Sequence, residues 1–112
     1  MIIKTEEYKI NCSDPNKVEI IGSMRLPSPL SYENLFEPIK EQIESSTEKY
    51  EINLIKLDYL NSSGLTALAR ILILSRSLKK PIKVLANKNI PWQKKSLNSL
   101  EKLWDQIEIE FK

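Results

Sequence analysis

Apolar and polar residues alternate near the start of the chain, with Tyr8, Ile10 and Cys12 on one face of the segment from Glu7 to Cys12. After Ser13-Asp14-Pro15-Asn16 the pattern resumes with Val18, Ile20 and a continuing Ile21. Alternation bounded by Asp, Pro and Asn predicts a β-hairpin. Gly22 inside the second strand suggests a bulge or a close backbone approach. Leu26-Pro27-Ser28-Pro29 reads as a loop, because each proline disfavours helix before it and donates no hydrogen bond.

Beyond the prolines the period changes. Tyr32, Leu35, Phe36, Ile39 and Ile43 recur at helical spacing, which predicts a helix to about Ser46 with that stripe on a sheet. Its start is either an N-cap at Ser31 or a capping box of Asn34 and Glu37, depending on whether Pro38 kinks the helix or stands near its beginning. Tyr50 to Leu57 reads as a strand, with Ile52 and Leu54 on one face and Ile55 and Leu57 on the other, the pattern of a central strand. The connection Asp58-Tyr59-Leu60-Asn61-Ser62-Ser63-Gly64 leads into a helix from about Ser63 to Leu78, ended before Pro81. Ile82, Val84 and Ala86 mark a short strand, Pro91 to Trp104 a third helix, and Ile107 to Phe111 a last strand. The order β-β-α-β-α-β-α-β calls for an α/β fold, with a mixed sheet built by crossover connections and packed with helices.

The helix after the connection is apolar around much of its circumference. At about 100° per residue, Leu65, Leu68, Ala69, Ile71, Leu72 and Leu78 cover well over half of it. Thr66, Arg70 and Ser77 form the clear polar strip, with Ile73 and Leu74 on its borders. Burial between the sheet and a neighbouring helix explains this, as does a partner surface edged by Ile73 or Leu74.

Composition narrows the class. The 112 residues suit one domain spanning 1–112, and 29% charged with 41% hydrophobic residues is the balance of a folded globule. A formal charge of +2, with 17 basic and 15 acidic residues interspersed, gives no basic stripe for direct nucleic-acid binding. Lys79, Lys80, Lys83, Lys88, Lys94 and Lys95 make the C-terminal third locally positive, as solvated helix ends and loops do. A single cysteine, Cys12, and no histidine rule out a disulfide within the chain and leave no imidazole for zinc or base catalysis. No leader pattern is visible, and the longest apolar run, Ile71 to Leu74, is too short for membrane insertion, so a cytoplasmic location is expected.

No catalytic constellation stands out. With two glycines in total there is no glycine-rich phosphate loop and no nucleophile elbow, so neither cofactor nor metal is expected and the chain reads as a binding protein rather than an enzyme. The distinctive stretch is Asn61-Ser62-Ser63-Gly64-Leu65, between a buried strand and a helix. A hydroxyl there can cap the helix by accepting from a free backbone N–H. The same place suits an anion, because unpaired N–H groups and the positive end of the dipole face it.

Ile52 to Leu57 followed by Tyr59-Leu60-Asn61-Ser62-Ser63-Gly64-Leu65 resembles the signature of the STAS domain (sulphate transporter and anti-sigma-factor antagonist), a hydrophobic strand leading to Asp-Ser-Ser/Thr-Gly-Leu at a helix start. The element order matches over nearly the whole chain. The resemblance implies a bacterial partner-switching regulator that binds a serine kinase acting as anti-sigma factor, of the histidine-kinase-like ATPase type, when unphosphorylated. It places the phosphate on Ser62, with Ser63 as runner-up, and implies a serine phosphatase that removes it. Partner binding is expected from Asp58, Tyr59, Asn61, Ser62, Ser63, Gly64, Thr66, Arg70 and Ile73. The family's aspartate is Asn61 here, and the double-proline loop also departs from the antagonist pattern. Two other readings stand beside this one: a STAS subunit accessory to a transport ATPase complex, and a sensor of a small ligand or nucleotide.

Overall fold

A computed structural model describes residues 1–112. The elements run β1 (Ile2–Lys4), β2 (Tyr8–Asn11), β3 (Lys17–Met24), α1 (Pro29–Ser45), β4 (Tyr50–Asn53), β5 (Leu57–Leu60), α2 (Ser62–Ser77), β6 (Ile82–Ala86), α3 (Pro91–Glu101) and β7 (Ile107–Phe111). They build one seven-stranded mixed sheet in the order β1-β2-β3-β4-β6-β7, with β5 pairing β3 beside that path. The first three strands are antiparallel and the rest parallel.

From β3 to β4, β6 and β7 every crossover steps in the same direction. Crossovers of the usual right hand then set all three helices on one face. Burial agrees: Val18, Ile20, Ile52, Leu54, Ile82, Val84 and Ala86 point into the core, whereas their neighbours Glu19, Ile21, Glu51, Asn53, Lys83 and Leu85 are half-exposed on an uncovered face. The central strand is therefore covered on one side only, not both. On the bare side, Lys83 and Lys112 pair with Glu110 at 3.0 and 2.6 Å, and Lys49 with Glu108 at 2.9 Å.

Three local differences from the sequence reading have physical causes. Helix α1 begins at Pro29, not Ser31 or Asn34: Ser28 is the cap, its Oγ accepting from the Ser31 N–H at 3.3 Å, and proline at the first turn sacrifices an N–H that has no helical partner. The helix continues through Pro38, whose missing N–H deprives the carbonyl of the exposed Asn34 of its helical donor. A short edge strand, β1, precedes the hairpin, joined to it by a turn in which Thr5 Oγ1 accepts from the N–H groups of Glu7 and Tyr8. Gly22 does mark a bulge, with φ +102° and the β3–β5 register shifting beside it; a Cβ there would lie 2.2 Å from the Glu7 carbonyl oxygen.

The third difference matters most. The segment from Tyr50 to Leu57 is not one strand, because the chain leaves the ladder after Asn53, whose Oδ1 accepts from the Ile55 N–H at 3.0 Å and turns it. The carbonyls freed by this break are collected by α3 and the loop before it. Gln93, with no exposed surface, donates from Nε2 to the carbonyls of Leu54 (2.6 Å) and Leu57 (3.0 Å), and its Oε1 accepts from the Asn87 N–H at 2.8 Å. Asn87 Nδ2 donates to the Ile55 carbonyl and Trp92 Nε1 to that of Leu57. Every buried side-chain polar atom has a partner.

Two outcomes follow from this arrangement. Gln93→Leu leaves the Asn87 N–H without its partner and removes one of the two donors to each of the Leu54 and Leu57 carbonyls, so urea unfolding should show a loss of about 2 kcal/mol, beyond an apolar swap of similar size. On the bare face, hydrogen bonds from Lys112 and Lys83 lower the Glu110 carboxyl to about 2. The folded value lies below the unfolded one of about 4.3, so the contribution is present above that pH and is lost as pH falls through the folded value. An NMR titration of the Glu110 side chain should find its midpoint near 2, and high salt should raise it.

Candidate functional site

Strand β5 ends in the buried Leu60, and the next residue, Asn61, caps α2 with extended backbone and its Oδ1 accepting from the Gly64 N–H at 3.1 Å. The helix thus begins at Ser62, one residue earlier than the sequence implies. Ser62 is exposed, and its hydroxyl makes no hydrogen bond within the protein; Ser63 is half-buried. Neither α1 nor α2 has an acidic residue in its first turn, so the positive ends of both dipoles are uncompensated at this rim.

The residues singled out by sequence divide into two groups. Ser62, Thr66, Arg70 and Ile73 recur at steps of three and four along α2 and are all exposed, forming one stripe that continues to Ser77. Within it, the Thr66 hydroxyl donates to the Ser62 carbonyl at 3.1 Å, and Arg70 is ion-paired with Glu33 of α1. Ile73 is 38% exposed while Leu74 is half-buried, which settles which of the two borders the stripe. Asp58 and Tyr59 are exposed at the end of β5, and the Arg25 guanidinium lies 4.6 Å from the centre of the Tyr59 ring.

Asn61, half-buried, and Gly64, buried, face inward. Asn61 Oδ1 also accepts from the Tyr32 hydroxyl at 2.7 Å, and its Nδ2 donates to the Leu26 carbonyl at 2.9 Å. The Tyr32 oxygen in turn accepts from the Leu26 N–H at 3.2 Å. Burial pushes the Tyr32 phenol above its ordinary range, against the smaller opposing effect of the Leu26 N–H, so the hydroxyl keeps its proton and donates. Gly64 is where α2 passes closest to this cluster: a Cβ would lie 2.2 Å from Leu60 Cδ1, 2.7 Å from Leu60 Cγ and 3.0 Å from Tyr32 Cζ.

Sequence reasoning missed Tyr32, Leu26, Arg25 and Leu30. Tyr32 counted only as one apolar position in the stripe of α1, yet its ring is buried while its hydroxyl reaches the helix start after β5. Leu30, just after the α1 cap, is 64% exposed. Pro27 and Pro29, which follow Leu26 and flank Ser28, were the available signal, since a loop so poor in its own donors must be held by something else.

The division into surface and interior has a measurable consequence. Gly64→Ala should cost about 2 kcal/mol despite alanine's better helix propensity, because the added methyl forces Leu60 and Tyr32 apart. Ser62→Ala should stay within about 0.5 kcal/mol of wild type, being solvated and not the cap. Thermal melts of both variants check this.

No family model matches the sequence, and no curated protein matches it either. Among solved structures, it is similar to SiaC in the crystal structure of the diguanylate cyclase SiaD in complex with its activator SiaC from Pseudomonas aeruginosa. The TM-score is 0.74 at 14% identity, covering 100% of this chain and 99% of that one. At such low identity the likeness speaks for architecture. The chain has a STAS-like α/β fold, with the Asn61-Ser62-Ser63-Gly64 connection leading into α2 as the sequence resemblance implies, although the strand before it is the short β5 and not a continuous run from Ile52 to Leu57.

Proposed function

We propose that this chain is a protein-binding regulator that docks its partner through the start of α2 and the exposed stripe running from Ser62 to Ile73, and that phosphate on Ser62 breaks the complex. One observation carries the reading: Ser62 opens the helix with an exposed, uncommitted hydroxyl, while the capping and packing duties beside it fall to Asn61 and Gly64. A phosphoryl group added there is tolerated by the chain's own fold, at the positive end of the dipole, while it sets a dianion in any interface formed over it.

The partner expected from the sequence resemblance is a kinase-type anti-sigma factor or a related regulator, with a separate serine phosphatase resetting the switch. The likeness to an activator of a diguanylate cyclase widens the class to signalling enzymes controlled by docking. In either case the chain supplies a surface and the partner supplies the chemistry, so the protein acts without cofactor and is not itself an enzyme. No helix is long and apolar enough to cross a membrane, and the proposed setting is the cytoplasm.

The test has two parts. Intact-mass analysis with site localisation, on protein taken from its native cell, should find one phosphate, on Ser62 and not Ser63. Calorimetric titration against the partner captured from that cell should show Ser62→Asp binding roughly a hundredfold more weakly than wild type, from a charge desolvated without a counter-ion, while its melting temperature is unchanged. Equal affinity of the two forms would remove the switch, and loss of the fold would make Ser62 a structural residue.

A further inference from the structure

We propose that Asn61 is a positioning residue whose side-chain amide, with the Tyr32 hydroxyl, fixes the proline loop against the start of α2, and that the position requires an amide, not a carboxylate. Three separate parts of the chain meet there. The Leu26 N–H donates to Tyr32, Tyr32 donates to Asn61 Oδ1, and Asn61 Nδ2 returns to the Leu26 carbonyl, at 3.2, 2.7 and 2.9 Å. The ring closes on a single peptide residue, holding both its donor and its acceptor.

The loop has little else to hold it. Pro27 and Pro29 contribute no N–H, and the Ser28 side chain is occupied with capping α1. Arg25 and Leu30, both exposed, sit at the two ends of this pinned segment. Resting on the docking role of the Ser62 face, the ring sets those two side chains and Ser62 in one fixed arrangement, so that a partner meets a single preformed surface instead of a helix end and a mobile loop.

The chemistry distinguishes this role from ordinary capping. As a cap for the Gly64 N–H, aspartate is as good as asparagine and gains from the dipole. As a member of the ring it fails when ionised, because it has no donor for the Leu26 carbonyl and faces that oxygen with another. A protonated carboxyl restores the donor. In Asn61→Asp the introduced carboxyl is therefore held above its unfolded value in the folded state. Its stabilising contribution is present below the unfolded value and is lost as pH rises through the folded one.

The experiment compares thermal melts of full-length wild type, Asn61→Asp and Tyr32→Phe between about pH 4 and about pH 8, a span bracketing carboxyl titration. Differences from wild type are taken at each pH, so that the other carboxylates cancel. Asn61→Asp should melt roughly 5 °C lower than wild type at neutral pH, and the gap should shrink on acidification. Tyr32→Phe should show a pH-independent deficit. In both variants the Leu26 amide should exchange with solvent roughly tenfold faster while amides of β4 keep their protection. An Asn61→Asp protein as stable as wild type at neutral pH, or a gap that does not narrow with acid, would reduce Asn61 to a cap and overturn the proposal. Since no partner enters these measurements, they can fail while docking at Ser62 stands, and the binding experiment can fail while the ring stands.

Discussion

The interruption of the central strand after Asn53 is the constraint on which the rest of the molecule depends. A continuous strand would have kept its pairing with β6 and carried the following residues along the middle of the sheet. Instead β5 is released to follow β3 alone, from Gly22 to Met24, with a shift of register after Gly22. That shift brings Asn61 beside the residues that follow Met24, within reach of the Leu26 peptide. The break is held open by side chains centred on the buried Gln93, whose amide, with those of Asn53 and Asn87 and the Trp92 indole, supplies hydrogen bonds in place of an unbroken ladder. An apolar residue there would pack as well but leave the Asn87 N–H unpaired and the Leu54 and Leu57 carbonyls each one donor poorer, which is why a fully buried glutamine belongs in an otherwise hydrophobic core.

The candidate site follows the same logic of separated duties. Groups needed to begin α2 are turned inward and consumed, as Asn61 accepts from Gly64 and Gly64 makes way for Leu60 and Tyr32. The side chains left outside, from Ser62 along the stripe to Ile73, have few internal obligations apart from the Arg70 pair with Glu33, itself exposed and salt-screened. A surface so arranged can change charge without disturbing the core beneath it, which is what a reversible modification needs.

Much of this was legible in the sequence because it is written in periodicity. The hairpin, the crossovers and the last strand lie where the alternation and the helical spacing put them, and the serine-rich connection stands out against a chain almost without glycine. The strand break was hidden, since Ile52, Leu54, Ile55 and Leu57 read as one apolar run and the turn at Asn53 depends on a single side-chain hydrogen bond. Hidden too was the ring around Leu26. Asn61 lies far along the chain from Leu26 and Tyr32, and Tyr32 enters a hydropathy pattern as an apolar residue whatever its hydroxyl does. Asn61 looked like a weakened aspartate when judged by position; judged by its partners it carries a donor that aspartate lacks.

The one-sided architecture leaves a practical opening. Because α1, α2 and α3 share a face, residues such as Glu19 and Glu51 stand in the middle of the sheet with neither a helix over them nor a place on the α2 stripe. Reporter groups attached there would sit remote in function from both the core and the Ser62 rim, on strands paired along both edges. A chain of this size seldom offers a central surface free of other duties, and the uncovered sheet makes this one a natural scaffold for labels that watch the other side.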